Sequence, residues 1–169
     1  IIRTIRNPFL KIQSCVELTQ IIAKLPILDY LYGQYAKLLQ QNGIVNLSHS
    51  THEQSRWHRD LPYQEWTSSS PLSLSIFTMV SDFNRDNGST IVLPGSHKCS
   101  TLPSLDYIDK FAKQIVGTRS SLLIMDSMLF HTSGTNETET ARIGINTMYG
   151  IPLLKAQFES SNLGFNLNE

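Results

Sequence analysis

The chain has 169 residues, 14 Lys and Arg against 14 Asp and Glu, and 40% hydrophobic residues. This length fits one domain with a substantial core, and the ordinary apolar content excludes a largely disordered chain. The balanced charge disfavours a protein that binds nucleic acid or a membrane surface. The sequence contains no apolar run of about 18 residues, so it predicts no membrane-spanning helix.

The start of the chain and its two cysteines bear on location. No charged-then-apolar leader is visible, so we expect a cytoplasmic protein, although a chain that opens at Ile1 rather than Met can have been trimmed. Cys15 and Cys99 match no C-x-x-C pattern, and we interpret both as free thiols.

Apolar residues at three- and four-residue steps predict helix over residues 15–42. Pro26 divides this stretch into two helices, and Asn42-Gly43 is interpreted as its stop signal. The apolar positions are Ile21, Ile22, Leu25, Leu28, Leu31, Tyr35, Leu38 and Leu39.

After Gly43 the pattern changes to short strands separated by turns. One amphipathic helix is predicted over residues 104–116. Helices followed by at least six strands favour a sandwich or barrel of mostly antiparallel strands over a doubly wound sheet. The predicted strands cover residues 44–47, 72–80, 90–93, 121–125, 129–133 and 143–149.

The segment Trp57-His58-Arg59-Asp60 carries the first candidate chemistry. Side chains two apart on a strand face the same way, so His58 and Asp60 would converge and form half of a metal site. A second imidazole would complete the 2-His-1-carboxylate triad of non-haem Fe(II) oxygenases. H-x-D also arises by chance, so this motif alone is weak.

A second segment supplies that imidazole. His131 lies at a predicted strand, Ser133 shares its face, and Arg142 opens the next strand. A buried Arg needs an anion, and its planar fork suits a carboxylate, as in a dicarboxylate co-substrate. The alternative for Arg142 is a surface pairing with Glu137 or Glu139.

Three segments resemble the phytanoyl-CoA dioxygenase family of Fe(II)/2-oxoglutarate-dependent oxygenases. They occur in the family order and cover roughly residues 44–151. The segments are W-H-R-D-L-P-Y (57–63), D-N-G-S-T-I-V-L-P-G-S-H-K (86–98) and F-H-T-S-G-T-N…R (130–142).

The resemblance implies a mainly β fold with flanking helices, a double-stranded β-helix of the jelly-roll or cupin-like type. It implies a single domain over residues 1–169, with a helical segment at 1–43, the barrel core at 44–151 and a tail at 152–169. Only 57 residues precede His58, fewer than is usual in the family, which suggests either a compact member or a trimmed chain.

The resemblance also assigns the site. His58, Asp60 and His131 match the iron ligands and catalytic centre, while Arg142, Ser133 and Phe77 match positions around 2-oxoglutarate. It implies an enzyme, a dioxygenase that uses Fe(II), 2-oxoglutarate and O2 to hydroxylate a small organic substrate. Because Asp60 is present, hydroxylation is favoured over halogenation.

Two other functions stay open. One is a non-catalytic jelly-roll binding module that retains the pocket, and the other is a cupin-type metalloenzyme without 2-oxoglutarate. We expect a small-molecule substrate, with neither nucleic acid nor membrane as partner, and the sequence does not indicate an oligomeric state.

Several residues near these motifs receive weaker interpretations. His97 is expected to be structural, and His49 and His52 are expected in a solvated loop. Asn146 and Met148 share the strand face of Arg142, so both are predicted to point inward and border the substrate.

Overall fold

Two β-sheets and a pair of N-terminal helices make up the fold of the computed structural model, which describes residues 2–49, 56–61 and 65–158. The larger sheet has five strands in the order β1-β2-β8-β3-β6, and the smaller has the order β5-β4-β7. Every pairing is antiparallel, as the sequence predicts. The strands are β1 (Ile2–Arg6), β2 (Lys37–Asn46), β3 (Ser73–Met79), β4 (Thr90–Val92), β5 (Lys113–Gln114), β6 (Leu122–Asp126), β7 (His131–Ser133) and β8 (Arg142–Gly150).

The helices are α1 (Gln13–Ala23), α2 (Pro26–Tyr32) and α3 (Leu105–Phe111). Pro26 stands in the first turn of α2, where its missing N–H costs no helical hydrogen bond, so the predicted division is confirmed. Within the described residues, no helix is long and apolar enough to cross a membrane.

The N-terminal prediction is wrong in two places. Residues 37–42 form part of β2 rather than a helix, and Asn42-Gly43 lies inside that strand rather than at a stop. β1 pairs with β2 from Ile2↔Asn46 to Arg6↔Asn42, so the segment 1–43 contributes strands to the larger sheet. The helix predicted over 104–116 is shorter, because Lys113 and Gln114 pair with β4.

The larger sheet is covered on both faces, and β3 shows how. Leu74 and Ile76 pack with the apolar faces of α1 and α2, for example Val16, Ile22 and Leu28. Ser75 and Phe77 alternate with them and therefore face the other way, toward the smaller sheet. The helices thus seal the outer face, and the inner face is left to build a pocket between the sheets.

Candidate active site

The structure brings the predicted His58, Asp60 and His131 side chains together. Each offers one ligand atom, and these atoms lie within 4.8 Å of one another. His131 Nε2 is 3.7 Å from Asp60 Oδ1, and the two imidazole centroids are 4.4 Å apart. The local structure is less regular than predicted, because His58 forms only an isolated antiparallel bridge with His131 of β7.

Both imidazoles are oriented by backbone carbonyls. His58 Nδ1 lies 2.9 Å from the Arg56 carbonyl oxygen, and His131 Nδ1 lies 3.0 Å from that of Leu129. A carbonyl only accepts, so each Nδ1 must carry the proton and donate it. In the neutral rings, Nε2 then holds a lone pair, which is the form that binds a metal.

Asp60 is held through one of its two oxygens. Ser75 Oγ donates to Asp60 Oδ2 at 2.5 Å, and Asn146 Nδ2 donates to the same oxygen at 2.9 Å. The single hydroxyl proton of Ser75 is committed to Asp60, so Ser127 Oγ is the donor in its 2.9 Å bond to Ser75. The other oxygen of Asp60, Oδ1, lies on the side of the histidines and is the oxygen available to a cation.

Burial and charge favour neutral His58. Desolvation lowers the pKa of this imidazole, and the neighbouring His131 lowers it further. The Arg56 carbonyl and Asp60 oppose that shift without reversing it. The net direction keeps a ligand lone pair free at neutral pH.

Arg142 is almost completely buried, at 1% exposure, and projects from β8. Its Nη2 donates to the Gly88 carbonyl at 2.6 Å and to Ser133 Oγ at 2.8 Å, and its guanidinium lies 4.6 Å from the centre of the Phe83 ring. Within the described chain, no carboxylate forms an ion pair with it, and its Nε has no hydrogen-bond partner. Desolvation lowers its pKa to about 10, so the guanidinium stays charged at neutral pH.

The alternative pairing of Arg142 is wrong. Glu139 instead contacts His49 Nε2 at 2.9 Å, with both side chains mostly exposed. That contact also agrees with the solvated loop predicted for His49, whereas His52 lies outside the described residues. The buried positive charge of Arg142 therefore lines the pocket, and no carboxylate of the described residues pairs with it.

The turn at Asn87-Gly88 contacts Arg142 through the Gly88 carbonyl. Gly88 has φ +69°, and a Cβ there would lie 2.3 Å from Asn46 Nδ2 and 2.5 Å from the Gly134 carbonyl oxygen. Only glycine fits this approach, which brings the Gly88 carbonyl to Arg142 and Ser133 Oγ. The D-N-G segment is thereby tied to the far end of the pocket.

One pocket contains all six predicted site residues. Its wall also includes apolar side chains from β2 and β3, and Phe77 is one of them. The pocket is lined by Asn42, Ile44, His58, Asp60, Phe77, Thr90, His131, Thr132, Ser133, Arg142 and Asn146.

Arg59 connects the H-x-D segment to the loop that follows Gly95. It is buried, and its guanidinium donates to the carbonyls of Ser96, Cys99 and Ser100 while lying 4.1 Å from the centre of the Phe130 ring. This interaction fixes the loop after Gly95 to the H-x-D segment. His97 in that loop does not line the pocket, and its structural role stays a prediction.

Of the two residues predicted to point inward and border the substrate, only Asn146 lines the pocket. Met148 instead packs in a buried cluster with Leu39, Leu61 and Met128.

The sequence analysis did not identify Ser75 or Asn42 as residues of the site. The available signal for Ser75 was a hydroxyl between Leu74 and Ile76, but β3 also carries Ser73 and Thr78, so that signal did not single it out.

Comparison with known families decides the class of the chain. A family model described as phytanoyl-CoA dioxygenase (PhyH) matches residues 5–144. The chain belongs to the phytanoyl-CoA dioxygenase family. That family is one of non-haem iron, 2-oxoglutarate-dependent oxygenases, so the predicted family is confirmed.

Curated relatives of this phytanoyl-CoA dioxygenase family member include an uncharacterized protein, Rv1501, of Mycobacterium tuberculosis. It is 31% identical over 140 residues, which cover 80% of this chain and 50% of that protein. Dioxygenase trt7 of Aspergillus terreus is 33% identical over 87 residues, covering 52% of this chain and 29% of that protein. The chain thus spans half or less of the length of these relatives.

Solved structures show the same fold. The non-haem monooxygenase ThoJ superposes with a TM-score of 0.76 at 19% identity, over 92% of this chain and 62% of that one. EctD from S. alaskensis, solved with 2-oxoglutarate and 5-hydroxyectoine, has a TM-score of 0.70 at 20% identity, over 88% and 56%. The epimerase SnoN, solved with Fe3+, α-ketoglutarate and nogalamycin RO, has a TM-score of 0.71 at 14% identity, over 89% and 64%. The predicted jelly-roll fold is confirmed.

Proposed function

We propose that this protein is an Fe(II)/2-oxoglutarate-dependent dioxygenase that hydroxylates a small organic substrate and releases succinate and CO2. The observation that carries the proposal is the pocket itself. It combines two carbonyl-oriented imidazoles and a carboxylate with a buried Arg142 that no described carboxylate pairs with.

The donor set fits iron. Two neutral imidazole nitrogens and one carboxylate oxygen form the combination that holds non-haem Fe(II) while leaving coordination positions open. His58 and His131 would contribute Nε2, and Asp60 would contribute Oδ1. The hydrogen bonds to Nδ1 and to Oδ2 are the outer contacts that orient such ligands.

The opposite end of the pocket fits a dicarboxylate. A charge as deeply buried as that of Arg142 is costly unless an anion accompanies it. Nη2 already donates both of its hydrogens, to Gly88 and Ser133, so the unpaired Nε would donate to the far carboxylate of 2-oxoglutarate. Phe77 would pack against its carbon chain.

Iron held by His58, Asp60 and His131 would supply the activation of O2; one oxygen atom would end in succinate as 2-oxoglutarate loses CO2, and the other in the hydroxyl group formed from a substrate C–H bond. The chain's own residues hold the co-substrate in one orientation and exclude water. Asp60 occupies a ligand position as a carboxylate, which favours hydroxylation over halogenation.

The test is an anaerobic titration of the protein with Fe(II) and 2-oxoglutarate, followed by visible absorption. Chelated 2-oxoglutarate gives a weak metal-to-ligand charge-transfer band, which Arg142→Ala should weaken and the exposed Arg85→Ala should leave unchanged. Succinate release under air then measures turnover of the co-substrate.

Two results would contradict the proposal. If folded, iron-loaded protein gives no band, the co-substrate assignment is wrong and a metalloenzyme without 2-oxoglutarate is favoured. If the band forms but no succinate appears with any candidate substrate, the non-catalytic binding module is favoured.

A further inference from the structure

Asn146 presents a buried oxygen without a hydrogen-bond partner. A carboxylate only accepts, so the bond to Asp60 Oδ2 must come from Asn146 Nδ2, and this fixes which way the amide lies. The remaining Oδ1 is buried and unpaired, and the residue is only 5% exposed. No described residue donates to this oxygen, and Asn146 lines the pocket, so the pocket is where a ligand donor would meet it.

Asn42 repeats this feature on the neighbouring strand. It faces Asn146 directly in the antiparallel register of β2 and β8, so the two Cβ atoms are roughly 5 Å apart on the same face of the sheet. Asn42 also lines the pocket, is 8% exposed, and has a buried Oδ1 without a partner. Two amide groups therefore lie side by side on one wall, each with an oxygen that no described residue hydrogen-bonds.

Unpaired buried acceptors are uncommon, because each loses its hydrogen bonds to water without replacement. 2-Oxoglutarate cannot supply the missing donor, since it presents only acceptor oxygens at neutral pH. The metal ligands cannot supply it either, because both Nδ1 protons are already donated to backbone carbonyls. Among the described residues, no group donates to either oxygen, so both are open to a donor from a molecule bound in the pocket.

We infer that the Asn42 and Asn146 pair is a substrate-recognition site for a hydroxyl or ammonium group. This inference rests on the proposed function and specifies its substrate class: a small molecule with a hydrogen-bond donor next to an apolar portion. Ile44 also lines the pocket, two residues from Asn42 on β2, and would cover the apolar portion. A ketone or ether of the same shape would leave both amide oxygens unpaired.

A stability measurement first tests whether Asn42 serves a ligand or the fold. Asn42→Leu removes an unpaired amide oxygen and is expected to leave the thermal midpoint unchanged or raise it. The matched control is Asn136→Leu, because Asn136 is fully buried and its amide makes four hydrogen bonds, to Asn46, Thr140 and Thr138. That control should lose at least about 4 °C. An equal loss in Asn42→Leu would overturn the inference.

A binding measurement then tests the donor requirement. Cyclohexanol, cyclohexylammonium and cyclohexanone share one ring and differ in hydrogen-bond donation. Saturation-transfer NMR on protein loaded with Zn(II) and 2-oxoglutarate should show the alcohol, the ammonium or both binding about tenfold more tightly than the ketone. Asn42→Leu should abolish that difference. Binding of only one donor identifies its chemical class, whereas equal binding of all three, or binding of none, would overturn the inference.

The same samples separate this inference from the proposed function. The charge-transfer band with Fe(II) and 2-oxoglutarate reports the co-substrate site, and Asn42→Leu should retain it. A wild-type protein that shows the band without donor preference contradicts the inference alone. A wild-type protein that shows donor preference with Zn(II) but gives no band supports the recognition pair and contradicts the proposed dioxygenase.

Discussion

His58 and His131 exchange two backbone hydrogen bonds of 3.0 Å, each N–H donating to the other residue's carbonyl. This isolated bridge holds together two residues that are far apart in sequence. The spacing of the imidazoles is thus set by backbone pairing, and each ring is then turned by its own Nδ1 hydrogen bond. Such a site is organised before a metal arrives.

Replacing one imidazole should therefore abolish metal binding without unfolding the protein. His58→Ala keeps both bridge hydrogen bonds, which are made by the backbone, but removes one ligand. Substitution of a residue that hydrogen-bonds to a metal ligand typically lowers metal affinity about 10–100-fold. We expect the loss of a ligand itself to lower Fe(II) affinity further. Equilibrium dialysis measures the affinity, and circular dichroism checks the fold. His49→Ala, in the exposed pair with Glu139, is the control, and wild-type affinity in His58→Ala would exclude this ligand.

The hydroxyl of Ser75 should tune metal affinity through Asp60. Ser75→Ala removes one of the two donors to Oδ2, and we expect Fe(II) affinity to drop about 10–100-fold. Ser73→Ala is the matched control on the same strand, because Ser73 is buried and its hydroxyl has no partner. Isothermal titration with Fe(II) under anaerobic conditions compares the two. Equal affinities would mean that Asn146 alone suffices to hold Asp60.

The chemical residues of the site were predictable because they form short motifs. H-x-D, F-H-x-S and the later Arg142 are recognisable along the chain, and the structure brings them into one pocket. The contacts that support them were not predictable in the same way. Ser75 and Asn146 reach Asp60 only through the register of β3 and β8, which a single sequence does not encode locally.

The misassigned stretch at residues 37–42 has a physical cause. β2 is buried on both faces, so its apolar and polar residues do not alternate by exposure. Leu38 and Leu39 also continue the helical spacing of Leu31 and Tyr35, and periodicity alone cannot separate a buried strand from a helix. The error hid Asn42, the residue of β2 that faces Asn146.

A methyl group at Gly144 should displace the Phe77 ring, which lines the pocket. A Cβ there would lie 2.1 Å from Phe77 Cε1, so the ring would have to move. We expect Gly144→Ala to destabilise the protein by about 1–3 kcal/mol and to weaken 2-oxoglutarate binding. Urea unfolding and the charge-transfer titration measure the two effects. Gly43→Ala on β2 is the control, because its nearest neighbour would be 3.4 Å away, and equal behaviour of the two variants would contradict the crowding.

2-Oxoglutarate should stabilise the Zn(II)-loaded protein through Arg142. A ligand at about 100 times its Kd adds about 2.7 kcal/mol to the free energy of unfolding, which raises the thermal midpoint by several degrees. Arg142→Met removes the buried charge that we propose pairs with the ligand, so its midpoint should no longer respond to 2-oxoglutarate. Arg59→Met is the contrasting variant: Arg59 is also buried, but its guanidinium donates to three backbone carbonyls. Its midpoint should fall without ligand and still rise when 2-oxoglutarate is added. A retained response in Arg142→Met would show that the co-substrate carboxylate binds elsewhere.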